Sequence, residues 1–152
     1  MGILVSKKSL VVSILHFLTA AFTLIVSVLM LVHLFSGNAL AGETTEERVG
    51  FSFAAIVGFP CMLIAAAGYV VSVSAFVFSG VRLMAQAQGE LPSKRSFLFT
   101  LVVKCIAFAL GVLGTVMLFV FPNGGLLATL SVIALALSFL CSISEAYVRR
   151  CP

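Results

Sequence analysis

The sequence has no tryptophan, four prolines and very little charge: acidic and basic residues together make up 9% of 152 positions. A soluble domain is about 25% charged, and nine bases with five acids cannot cover a water-facing surface. That shortage excludes a soluble fold. Cysteine occurs four times, but Cys61, Cys105, Cys141 and Cys151 are all isolated. With no Cys-x-x-Cys pair, dithiol redox catalysis lacks its required group. Three of the four stand inside apolar runs, where a thiol packs as a small hydrophobe.

What the chain does contain is hydrocarbon. Apolar residues are 62% of it, phenylalanine alone occurs fourteen times, and the mean hydropathy is +1.26. Four apolar runs stand out, residues 9–35, 49–81, 97–121 and 126–148. Each exceeds the ~20 residues needed to cross ~30 Å of hydrocarbon at ~1.5 Å per residue. None alternates polar with apolar, and backbone groups in lipid must be satisfied within their own segment, so the runs predict helices and exclude strands. The expected fold is an all-α membrane protein: one domain, residues 1–152, of four transmembrane helices in an antiparallel up-down bundle.

The connections fit this expectation. Residues 36–47 are short and acidic, and Thr44 with Glu47 has the spacing of a capping box for the second helix. The next connection carries Gly89 and Pro92, with Ser93 placed to cap the third helix. Pro122-Asn123-Gly124-Gly125 reads as a tight turn that sets the last two helices antiparallel.

A net charge of +4 invites a nucleic-acid reading, but the bases sit in pairs at the ends of the runs: Lys7 and Lys8, Lys94 and Arg95, Arg149 and Arg150. Such pairs determine topology, and no basic stripe is present for phosphate backbones, so no nucleic-acid partner is expected. With a cytoplasmic N-terminus, the inner side holds these six and Arg82, while the outer side holds Arg48. Both termini are therefore expected inside. That basic rim attracts anionic lipid at about 1 kcal/mol per base near the surface.

Two end signals compete with this topology. Ala39-Leu40-Ala41 before Gly42 resembles a signal-peptidase site, but the preceding apolar run, residues 9–35, is far longer than the roughly 7–15 residues of a signal peptide's core. The first helix is expected to be retained. Met1-Gly2 with Ser6-Lys7-Lys8 fits an N-myristoylation pattern, yet a chain with four spans gains little from an acyl anchor.

At the helical period of roughly 3.6 residues, each run presents one small or weakly polar face. These faces are Ser9, Ser13, His16, Ala20, Thr23 and Ser27; Ala54, Gly58, Cys61, Ala65, Gly68, Ser72, Ala75 and Ser79; Thr100, Lys104, Ala107, Gly111 and Gly114; and Ala128, Ser131, Ser138, Ser142 and Glu145. Small residues let helix backbones approach in lipid, where leucine has no advantage over a lipid tail. The faces therefore predict helix packing, with a solvated path as the alternative. Pro60 is expected to kink the second helix.

Lys104 and His16 each lie about 10 Å inside the inner boundary by helical rise, and Glu145 is one turn from the inner end of its run. All three are on small-residue faces. An intramembrane charge needs a named partner; for Lys104 it is Glu145, reached by snorkelling toward the interface. The expectation is an internal ion pair, with a ligand or lipid-headgroup site of His16, Lys104, Glu145 and Arg82 as the alternative. His33 shares a helix with His16 at the opposite depth, which does not suit haem. No catalytic residue, metal or cofactor is expected.

The size, four spans and short loops resemble the membrane-associated eicosanoid and glutathione-metabolism enzymes, and Glu47-Arg48-Val49 followed by Pro60 is similar to the start of that family's second helix. The resemblance implies polar glutathione-binding residues along this helix, where residues 50–59 offer only Ser52. It also implies arginines and tyrosines near the cytoplasmic ends, for which Arg82 and Tyr69 are available. The resemblance spans residues 47–60. Small multidrug antiporters likewise have four helices, but depend on an acid in the first, and residues 9–35 contain none.

The expected function is that of a non-enzymatic accessory, assembly or scaffold subunit acting through helix packing. Its partners are membrane lipids and either copies of itself or a larger membrane complex. The alternatives are a membrane enzyme or lipid-binding protein with an inner-leaflet site, and a small channel or transporter.

Overall fold

A computed structural model describes residues 2–35, 45–88, 94–120 and 124–150. The regular structure in them is helical: α1 (Gly2–Phe35), α2 (Thr45–Ala87), α3 (Lys94–Val120) and α4 (Gly125–Arg150). Each contains a stretch long and apolar enough to cross a membrane, namely Lys7–Phe35, Ile56–Ala87, Phe97–Phe119 and Gly125–Val148. Thr44, Ser93, Pro122 and Asn123, the Ala39-Leu40-Ala41 segment and Cys151 lie outside the described residues.

The helices outrun the apolar stretches that announce them. α1 begins at Gly2 and α2 continues to Ala87, beyond the limits at residues 9 and 81. Extending a formed helix adds one hydrogen bond per residue ordered, and Arg82, Leu83, Met84, Ala85, Gln86 and Ala87 are nearly all strong helix formers. α2 closes with Gln88 N–H shared between the carbonyls of Met84 (3.2 Å) and Ala85 (3.0 Å). Pro60 sits inside α2 on its exposed side, and the helix runs on past it.

The small-residue faces are the buried faces. In α1, Ser9, Ser13, His16, Ala20, Thr23 and Ser27 are all buried. The same holds for Gly58, Ala65, Gly68, Ser72, Ala75 and Ser79 of α2, and for Thr100, Lys104, Ala107, Gly111 and Gly114 of α3. In α4, Ala128, Ser131, Ser138 and Glu145 are buried and Ser142 is half-buried, as is Cys61 of α2. The side chain of Ala54 lies outside the described set. Leu, Val, Ile and Phe dominate the exposed remainder, with Ile56, Phe99, Phe119 and Leu126 among the most open.

Close approach is the mechanism. A Cβ added at Gly114 would stand 2.5 Å from the Cβ of Ala65, and one at Gly68 would stand 2.7 Å from the Cβ of Leu110. α2 and α3 therefore touch almost backbone to backbone, so dispersion contacts are dense along this seam. α1 packs against α2 and α4, and α3 against α2 and α4. Several hydroxyls bond within their own helix: Thr23 to Thr19 O, Thr115 to Gly111 O, Ser138 to Ala134 O. Ser13 differs. Its hydroxyl crosses from α1 to α2 and donates to Gly80 O at 2.7 Å.

Two apolar clusters fill the interior. One joins Val26, Met30, Leu34, Met62, Leu118 and Leu127, among others. The other, around Ala20, Phe76 and Cys141, borders the ionisable groups.

Candidate functional site

His16 of α1, Lys104 of α3 and Glu145 of α4 converge because each occupies the small-residue face of its helix at a common depth. Lys104 Nζ donates to Glu145 Oε2 at 2.6 Å, and both side chains are 5% exposed. His16 Nε2 lies 3.3 Å from Lys104 Nζ and 3.4 Å from Glu145 Oε2, with its side chain fully enclosed. The other ring nitrogen, Nδ1, is 2.8 Å from the Val12 carbonyl. A carbonyl only accepts, so Nδ1 carries the hydrogen and a neutral ring turns its Nε2 lone pair toward the ammonium.

Phe76 completes the enclosure. Lys104 Nζ is 4.8 Å from its ring centroid, and the His16 and Phe76 ring centroids are 5.7 Å apart at 54°. The ammonium thus meets a carboxylate, an imidazole and the face of a π system, each of which favours a cation. Beside this group, Thr19 Oγ1 and Cys141 Sγ are 3.0 Å apart, and the thiol also donates to Leu15 O at 3.7 Å.

Arg82 of α2 has an aromatic neighbour of its own. Its guanidinium lies over the Phe78 ring, 5.6 Å from the centroid, and its side chain is half-buried. Of the four residues singled out by sequence, His16, Lys104 and Glu145 are thus brought together and Arg82 is stacked on Phe78. Phe76, Thr19 and Cys141 are neighbours that sequence reasoning did not place there. Thr19 carried a weak signal, standing three positions after His16 on the same helical face; Phe76 carried none.

Chemically, the cluster is a compensated pair of charges supported by an imidazole. Cys141 is fully buried, so no substrate reaches its sulfur in this conformation. Among the described residues, no group of three or more His, Cys, Asp or Glu side chains is placed to hold a metal ion. Two hollows flank the cluster. One, of about 390 Å³, lies among α2, α3 and α4 and has Lys104 in its wall. The other, of about 550 Å³, lies between α1 and α4 and includes Lys7 and Lys8.

No family model matches the chain, and no curated protein or solved structure matches it either.

Proposed function

We propose that the chain is a four-span membrane protein with both termini cytoplasmic, its helices forming an antiparallel up-down bundle. In this reading it serves as a non-enzymatic accessory, assembly or scaffold subunit, acting through helix packing in the bilayer. One observation carries the proposal. His16, Lys104 and Glu145 are turned on one another inside the fold, while the exterior presents aliphatic and phenylalanine side chains. A group committed to an internal partner organises helices, and an apolar exterior meets lipid or another membrane helix.

The contacts support the antiparallel arrangement of the first two helices. Ser13, early in α1, bonds to Gly80, late in α2, whereas Met30, late in α1, clusters with Met62 and Ala65. The bias of basic residues toward one side supports the orientation. Membrane lipids are the immediate partners, together with copies of the chain or a larger membrane complex.

Purification in mild detergent followed by cross-linking and mass measurement tests the functional reading. A stable homo-oligomer or a stoichiometric partner is the expected result; a strict monomer that co-purifies with nothing overturns it. Orientation is tested in a cysteine-free background. An impermeant maleimide is expected to reach Lys8→Cys and Gln88→Cys from the cytoplasmic side and Gly125→Cys from the other.

A further inference from the structure

The two hollows both border α4. The first is a groove between α1 and α4, with Lys7 and Lys8 at its rim and Val11, Ile143, Tyr147 and Val148 as its apolar bed. The second, walled on one side by α2, runs along α3 and α4 from Leu101 and Ala146 at one end to Phe108 and Leu135 at the other. Ile143 borders both and is itself exposed.

We infer that these two grooves together hold one anionic phospholipid, its phosphate at Lys7 and Lys8 and one acyl chain crossing Ile143 into the α3–α4 groove. Charge assigns the head. The α1–α4 groove has two exposed ammonium groups and no acid among its lining residues, so it favours a negative ligand. Lys104, the cation in the wall of the deeper groove, already donates to Glu145, which directs the phosphate to the rim instead. Tyr147, also in the α1–α4 groove, supplies the amphipathic aromatic side chain that suits a headgroup boundary.

Length assigns the tail. From Leu135 to Ala146, at ~1.5 Å per residue, the deeper groove extends roughly 16 Å along α4. That is about half of a ~30 Å hydrocarbon core, the depth available to a lipid chain in one leaflet. Its volume of about 390 Å³ falls in the usual range of ligand pockets. Ser138 and Ser142 line it, but their hydroxyls donate to Ala134 O and Ser138 O of their own helix at 2.8 and 2.9 Å. These two hydroxyls therefore ask no hydrogen bond of a hydrocarbon chain. Phe108 and Phe139, with ring centroids 6.4 Å apart, both belong to its lining.

The inference does not depend on the scaffold reading, since a lipid can occupy these grooves whatever the chain assembles with. The test uses the full chain in equimolar phosphatidylglycerol and phosphatidylcholine, with retained lipid measured by native mass spectrometry. One phosphatidylglycerol is expected to be retained in preference. Lys7→Gln with Lys8→Gln is expected to cut that preference by a factor of roughly ten to thirty. Both lysines are exposed, so the fold tolerates the change. Equal retention of the two lipids by the unaltered chain overturns the proposal, as does an intact preference in the double variant. The tail is tested on the unaltered chain with phosphatidylglycerol carrying a photoreactive acyl chain. Cross-links to Phe108, Leu135 or Phe139 are expected, and labelling confined to other faces overturns the assignment.

Discussion

Lys104 Nζ and Glu145 Oε2 lie 2.6 Å apart, tying α3 to α4 through two side chains that are each 5% exposed. In a low-dielectric interior this attraction offsets desolvation only when the geometry is good and further hydrogen bonds are present, and His16 Nε2 at 3.3 Å supplies one. Three residues from three helices thus depend on each other, and removing them singly is the informative perturbation.

Glu145→Gln is expected to destabilise the fold by about 3–5 kcal/mol, because it leaves the Lys104 charge buried without its counter-ion. Lys104→Met is expected to cost less. With the ammonium gone, the His16 imidazole, 3.4 Å from Glu145 Oε2, still gives the carboxylate a polar neighbour. Thermal denaturation of both variants in one detergent measures the difference; equal losses contradict this role for His16.

Replacing both partners at once is predicted to be milder than replacing one. Lys104→Met combined with Glu145→Met removes both charges and keeps volume in the core, and such swaps of a buried pair are often neutral or stabilising. The double variant is therefore expected to recover most of the loss seen in Glu145→Gln. A double-mutant cycle on unfolding midpoints gives the coupling directly.

The α2–α3 seam is predicted to be intolerant of a single methyl. At Gly114 the new Cβ would meet the Cβ of Ala65 at 2.5 Å, and neither atom can move without its backbone. Overpacking costs about 1–3 kcal/mol, against a gain of up to about 1 kcal/mol from replacing a helical glycine. Gly114→Ala is expected to destabilise, while Gly125→Ala, with nothing within 4 Å of the added atom, is expected to be nearly neutral. Comparative melting in detergent separates them.

Two buried serines should respond oppositely to alanine. Ser13→Ala loses the hydroxyl that donates to Gly80 O, and interhelical hydrogen bonds in membranes average about 0.6 kcal/mol. The hydroxyl of Ser131 is buried with no hydrogen-bond partner, so Ser131→Ala removes a desolvation cost and is expected to leave stability unchanged or raised. A larger loss in Ser131→Ala than in Ser13→Ala would contradict this accounting.

Much of the interior was legible in the sequence because two periodicities suffice to read it. Length fixed the depth of each residue along its helix, and the 3.6-residue repeat fixed which way it turned. Ser9, Ser13, His16, Ala20, Thr23 and Ser27 share one face by that repeat, and all are buried. Lys104 and Glu145 were paired by depth and face together. Arg82 was grouped with them by depth alone. It directly precedes Leu83, which is fully buried, so it is turned by one residue, ~100°, from the inward direction and stacks on Phe78 instead. Phe76 could not be assigned, because a phenylalanine among fourteen carries no mark of which one roofs a cation. The grooves beside α4 were illegible for another reason: their width depends on the separation of helices distant in sequence.

The off-centre placement of the charged triad has a mechanical consequence. Met30, Leu34, Met62, Leu118 and Leu127 at the other end belong to an uncharged, mainly apolar cluster, whose contacts lipid tails can nearly match and whose methionines readily reshape. The helices are therefore joined by charge at one end and by packing alone at the other. Amide exchange is expected to begin at the end held by packing alone.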